Sequence, residues 1–120
     1  MTRRSEKVAS LLREAISEIL LHELRNPVFK NIISITDVKI GGDLRKAVIY
    51  FRVFSADPKE VETALNQSKG FIKRLLSQKI TLKFMPDIEF RIDRTEEEER
   101  RLLELFDKIR GEKEGGEENS

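Results

Sequence analysis

The side chains of this 120-residue chain that recur at spacings fit for chemistry are lysines and arginines. Lys69, Lys73 and Arg74 crowd around Gly70, Arg45 and Lys46 follow a glycine turn, and Arg3, Arg4 and Lys7 open the chain. Cations set this closely neutralise phosphates and release counterions, which gives sequence-independent affinity for nucleic acid. The richest stretch is Asn66-Gln67-Ser68-Lys69-Gly70-Phe71-Ile72-Lys73-Arg74-Leu75-Leu76. It reads as a helix interrupted at Gly70, since glycine inside a helix costs about 1 kcal/mol relative to alanine. A helix that restarts after a break has unpaired N–H groups that favour anions, so Ser68, Lys69 and Gly70 join the candidates for holding a phosphate. The same glycine has a packing role, letting two helices fold together or one helix bend. Taken alone, the stretch favours that packing role.

Catalytic constellations are scarce. His22, the single histidine, falls near the end of an amphipathic helix and has no cysteine or second histidine with which to build a zinc site. Asp37 and Asp43 fit bulge and turn roles better than a carboxylate pair, and the acidic run Glu96 to Glu99 suits a helix N-terminus. Neither a GxxxxGK[ST] phosphate loop nor a GxGxxG fingerprint occurs. The expectation is a binding protein with no catalytic residues, metal or cofactor.

Charge sharpens this. The formal net charge is only +1. Residues 1–94, however, carry 18 Lys+Arg against 12 Asp+Glu, and residues 95–120 carry 5 against 10. A basic body of net +6 with an acidic tail of net −5 is the asymmetry that accompanies a nucleic-acid partner. No stretch approaches the roughly 18 apolar residues of a membrane span, and no signal-peptide pattern opens the chain. The absence of cysteine excludes disulfides and thiolate chemistry and fits a cytoplasmic location.

The elements that position these residues follow from hydrophobic spacing. Val8, Leu11, Leu12, Ala15, Ile16, Ile19, Leu20 and Leu24 predict a helix over residues 5–24, capped by Ser5 and stopped at Asn26-Pro27. Residues 32–40 predict a strand. Its apolar parity switches at Thr36-Asp37, which calls for a β-bulge or burial on both faces. Gly41-Gly42-Asp43 turns the chain into a second strand, Ala47 to Phe54, apolar enough to lie in the middle of a sheet. Tyr50, Arg52 and Phe54 share its second face and read as ordinary strand residues ahead of a base-stacking platform. Asp57-Pro58 starts a helix whose pattern runs to about Ile80. Unbroken it would span roughly 33 Å, as wide as the body itself, so a break lets both halves pack on one sheet. Ile88, Phe90 and Ile92 predict a half-buried third strand, parallel to the second through a right-handed crossover. Thr95 caps a last helix over residues 95–110, and residues 111–120 read as a disordered acidic tail. The whole is one α+β domain over residues 1–94, α-β-β-α-(kink)-α-β, with a three-stranded mixed sheet carrying helices on one face.

In this order, particular words resemble the bacterial ribosome-binding factor A family. They are Val8-Ala9, Ile16 and Ile19-Leu20; Ile35-Thr36-Asp37-Val38; Asp43-Leu44 and Ala47-Val48-Ile49-Tyr50; Leu65-Asn66 and Lys69-Gly70-Phe71-Ile72-Lys73-Arg74-Leu75-Leu76; Pro86-Asp87-Ile88-Glu89-Phe90 and Asp93; and Ile109. The resemblance covers about residues 5–94 and implies a type II KH fold. KH domains clamp single-stranded RNA at a GXXG loop. Here Ser68-Lys69-Gly70 stands in its place, where the family usually has Ala-Lys-Gly. Asn26-Pro27 and Gly41-Gly42-Asp43 also depart from the family's turns.

What the resemblance implies is a ribosome assembly factor, linked to cold adaptation and monomeric when free. Its partners would be the small (30S) ribosomal subunit and 16S rRNA during late maturation. It would assist 5′-end processing of the precursor rRNA and use no small-molecule substrate. The RNA-binding candidates are then Arg3, Arg4, Lys7, Arg45, Lys46, Ser68, Lys69, Gly70, Lys73 and Arg74. The alternative is a KH-like protein–protein adaptor that does not touch RNA, its charges serving solubility.

Overall fold

The computed structural model describes residues 3–23, 33–54 and 56–118, with the side chains of 113–118 excepted. The chain runs α1 (Arg3–His22), β1 (Ile33–Ile40), β2 (Lys46–Val53), α2 (Pro58–Gln67), α3 (Lys69–Lys79), β3 (Asp87–Ile92) and α4 (Thr95–Glu118). One three-stranded sheet has the order β1-β2-β3, β1 antiparallel and β3 parallel to β2. This is an α+β, type II KH-like arrangement, and the most apolar strand is the central one.

The core lies between the sheet and the first three helices. Leu12, Ile16 and Ile19 from α1, Val61 and Leu65 from α2, and Ile72 and Leu76 from α3 are fully buried against Ile49, Phe51 and Phe90. The parity switch in β1 is a β-bulge: Ile35 pairs with Phe51 and Asp37 with Tyr50, leaving Thr36 as the extra residue. That insertion lets Ile35 and Val38 both face inward. Asp57 caps α2 by accepting from the Lys59 amide at 3.1 Å, with Pro58 as its first helical residue.

Two boundaries within this body differ from the sequence expectation. Ser5 is not the cap of α1; it is fully buried inside the first turn of a helix that begins at Arg3. The predicted stop at Asn26-Pro27 lies outside the described residues. The helix break falls at Ser68 rather than Gly70. Ser68 has φ −93° and ψ 1°, its amide is shared between the carbonyls of Ala64 and Leu65 at 3.1 Å each, and it makes no side-chain cap bond. Gly70 is an ordinary residue of α3 with no positive φ, and a Cβ added there meets nothing within 4 Å. The tertiary demand decides the position. The half that buries Val61 and Leu65 must lie along β3, and the half that buries Ile72 and Leu76 must turn onto α1.

Helix α4 stands off this body. All its described side chains are exposed, including Leu102, Leu103, Leu105, Phe106 and Ile109. It continues past Gly111, where the sequence reading ends it, because Gly111 keeps a negative φ and its flanks are rich in the good helix formers Glu and Lys. No helix among the described residues is long and apolar enough to cross a membrane.

Candidate nucleic-acid interface

The turn after Ser68 brings the first residues of α3 over the start of β3. Lys73 Nζ lies 2.8 Å from Asp87 Oδ1. This contact, with Lys69 and Lys46 close by, holds the Asp87 carboxyl below its ordinary value. Lysines from two separate elements, Lys46 of β2 and Lys69 and Lys73 of α3, thus act on one carboxylate. Lys46 stands there because it pairs in register with Asp87 across the parallel β2–β3 ladder. The Asp87 amide also donates to the Arg45 carbonyl at 2.9 Å, which fixes Arg45 beside the cluster.

Two of these cations are partly neutralised. Lys73 is held by Asp87, and Lys46 by Glu89 at 3.1 Å, an acid that Arg91 also grips. Lys69, Arg74 and Arg45 are exposed and form no ion pair among the described residues. Ser68 sits half-buried at the turn, and Gly70 is exposed on the first turn of α3, leaving the backbone there open to close approach.

Helical geometry splits the N-terminal cations. Arg3 and Lys7, four residues apart, flank a shallow hollow on the outer side of α1 that Glu6 and Glu14 also line. Arg4 points with Val8 toward Arg45 and lines a groove of about 830 Å³ between the start of α1, the β1–β2 turn and the α3–β3 loop. Arg4 and Arg45 therefore share one groove, with Asp87 and its lysines at its rim, while Arg3 and Lys7 line a separate hollow on another side of α1.

On the open face of the sheet the side chains of β2 have other partners. Lys39 Nζ sits 5.4 Å from the centroid of the Tyr50 ring, Arg52 pairs with Glu96, and Phe54 lies beyond the end of β2. A second concavity, of about 580 Å³ along β3, is lined by Glu62, Asp93 and Glu98 together with Lys39, Arg91 and Arg94, so acidic and basic side chains are mixed there. Among the described residues no three His, Asp or Glu side chains converge on a point that would hold a metal.

Sequence reasoning missed Lys83 and Phe84, which line the same groove as Arg4 and Arg45. The signal that could have found them was a large aromatic in a loop, outside the helical period that ends at Ile80 and the alternation that begins at Ile88.

Comparison with known proteins points one way. The family model described as ribosome-binding factor A matches residues 4–106. A ribosome-binding factor A from Protochlamydia amoebophila is 35% identical over 113 residues, covering 92% of this chain and 86% of the relative. The crystal structure of ribosome-binding factor A from Thermus thermophilus superimposes with a TM-score of 0.69 at 18% identity, over 76% of this chain and 97% of that one. A Thermus thermophilus homology model fitted into a cryo-EM map of a 30S–RbfA complex is similar at a TM-score of 0.60 and 19% identity, covering 71% and 90%.

Proposed function

Because the chain belongs to the ribosome-binding factor A family, we propose that it binds the small (30S) ribosomal subunit through 16S rRNA during late maturation. There it assists 5′-end processing of the precursor RNA. The observation that carries this reading is the gathering of Lys46, Lys69 and Lys73 around Asp87, next to Arg45, at the end of the fold where KH domains hold RNA. The 30S complex of the Thermus neighbour supports the choice of partner.

The protein acts by differential binding. Cations and the exposed backbone at Gly70 grip folded rRNA, and the RNA arrangement they fit best gains population. No bond is made or broken by the protein, and it uses no cofactor. It works in the cytoplasm and is a monomer when free.

Sedimentation with purified 30S subunits tests this. Co-migration is expected at low salt and fades as salt rises. A chain that stays at the top of the gradient at low salt sinks the proposal. Subunit binding that survives charge reversal of Lys69, Lys73 and Arg74 with an unchanged salt slope points instead to a protein-binding adaptor.

A further inference from the structure

We propose that the groove between α1, the β1–β2 turn and the α3–β3 loop holds one unpaired RNA nucleotide. Its base stacks on Phe84, and its flanking phosphates meet Arg4, Arg45 and Lys83. The inference rests on the RNA-binding reading above and names a contact site that reading does not contain.

The first observation is Phe84 itself. It is 77% exposed in a loop whose neighbours are anchored: Leu82 and Met85 pack against the core, and Pro86 is buried. A loop tied down on both sides of an outward-pointing ring presents that ring at little further loss of conformational freedom. Aromatic rings of this kind stack on bases irrespective of base identity, because every base has a π-face.

The second observation is the charge around it. Lys83 Nζ lies 5.8 Å from the Phe84 ring centroid, so cation and ring are offered together. Arg4 and Arg45 line the same groove, and none of the three cations has an ion pair among the described residues. Two carboxylates are also present, and both are engaged. Asp43 Oδ1 accepts from the Arg45 amide at 3.2 Å to close the turn, and Asp87 is held by Lys73 at 2.8 Å. The groove therefore offers free donors for phosphate beside an apolar floor.

The third observation is strain in its wall. Leu44 has φ 59°, the only positive φ at a non-glycine residue among the described residues, and its amide donates to the Gly41 carbonyl at 3.0 Å. A leucine in the left-handed region is a genuine outlier, and such residues gather where a surface must keep a particular shape. The strained turn holds Leu44 and Arg45 facing Phe84 across the groove.

One ring in a groove selects an unpaired nucleotide, since duplex stacking hides base faces. Fluorescence anisotropy with labelled decauridylate, and with a duplex of equal phosphate count, tests this on the full chain. Phe84→Ala is expected to weaken single-strand binding by about 5- to 150-fold, the range of one lost base–aromatic stack. Phe84→Tyr retains the affinity, Arg45→Gln lowers both affinity and salt dependence, and the duplex is insensitive to Phe84→Ala. An intact affinity of Phe84→Ala for the single strand, or no binding of decauridylate by the unaltered chain, overturns the proposal. Co-sedimentation with 30S subunits separates the two readings. Subunit binding without any Phe84 effect on decauridylate leaves the assembly-factor reading standing and removes the groove. A Phe84 effect on decauridylate without subunit binding does the reverse.

Discussion

Asn66 pairs with the backbone of Phe90 as a neighbouring strand would. The Phe90 amide donates to Asn66 Oδ1 at 2.9 Å, and Asn66 Nδ2 donates to the Phe90 carbonyl at 3.0 Å. One helical turn earlier, Glu62 accepts from the Ile92 amide at 2.8 Å. Two polar side chains of α2 thus satisfy the free edge of β3, which otherwise presents unpaired groups to other chains. Asn66→Ala is expected to lower stability by roughly 1–3 kcal/mol, because both backbone groups lose their partner at a half-buried edge. Asn66→Asp loses the donor and sets a carboxylate against a carbonyl. Guanidinium unfolding midpoints measure both; unchanged midpoints remove the edge-capping role.

Gly70 carries a separate prediction, since the break lies at Ser68. Gly70→Ala should stabilise the fold by about 0.4–1 kcal/mol, because the helical site accepts a methyl group and the unfolded chain loses freedom. If this exposed glycine admits RNA backbone, the same substitution weakens 30S binding. Chemical denaturation and sedimentation read the two effects apart.

Asp87 restrains the lysine cluster. Asp87→Asn releases Lys73 and removes a negative charge from among Lys46, Lys69 and Lys73. RNA affinity should rise, and the slope of log K against log salt should steepen by up to about 0.7–0.9, one phosphate contact. Lys69→Glu should move both quantities the other way. A titration of binding against salt concentration decides it.

Asp93 links pH to stability. Thr36, the bulge residue of β1, donates to its carboxylate, and the Thr95 amide donates to Oδ1 at 2.9 Å. These hydrogen bonds hold the carboxyl below its ordinary value of 3.8. A depressed carboxyl contributes stability that is fully present above the unfolded value and lost as pH falls through the folded one. Stability should therefore decline as pH drops below about 4, and Asp93→Asn should flatten that decline. Urea unfolding across pH 2–6, as a rough window, makes the comparison.

Helix α4 contributes little to the body. Ending the chain after Arg100 should leave the unfolding free energy within about 0.5 kcal/mol of the full chain, since no described side chain beyond that point is buried. A larger loss means that α4 packs in solution.

The sequence by itself determined the elements and their order. Alternation in β2 and β3, the capping pair Asp57-Pro58 and the parity switch at Thr36-Asp37 are local signals that read directly as a central strand, an edge strand, a helix start and a bulge. The cationic side chains were equally visible, because residue types are legible before any folding. Their grouping was not. Lys46, Lys69 and Lys73 meet only through the parallel β2–β3 register and the turn at Ser68. Arg4 parts from Arg3 because adjacent helical residues point about 100° apart. The break moved from Gly70 to Ser68 for a related reason: propensity marks where a helix is weak, but packing against both β3 and α1 decides where it must turn. Lys83 and Phe84 come to line one groove with Arg4 and Arg45 only in the folded chain, a juxtaposition set by long-range contacts that no local pattern encodes.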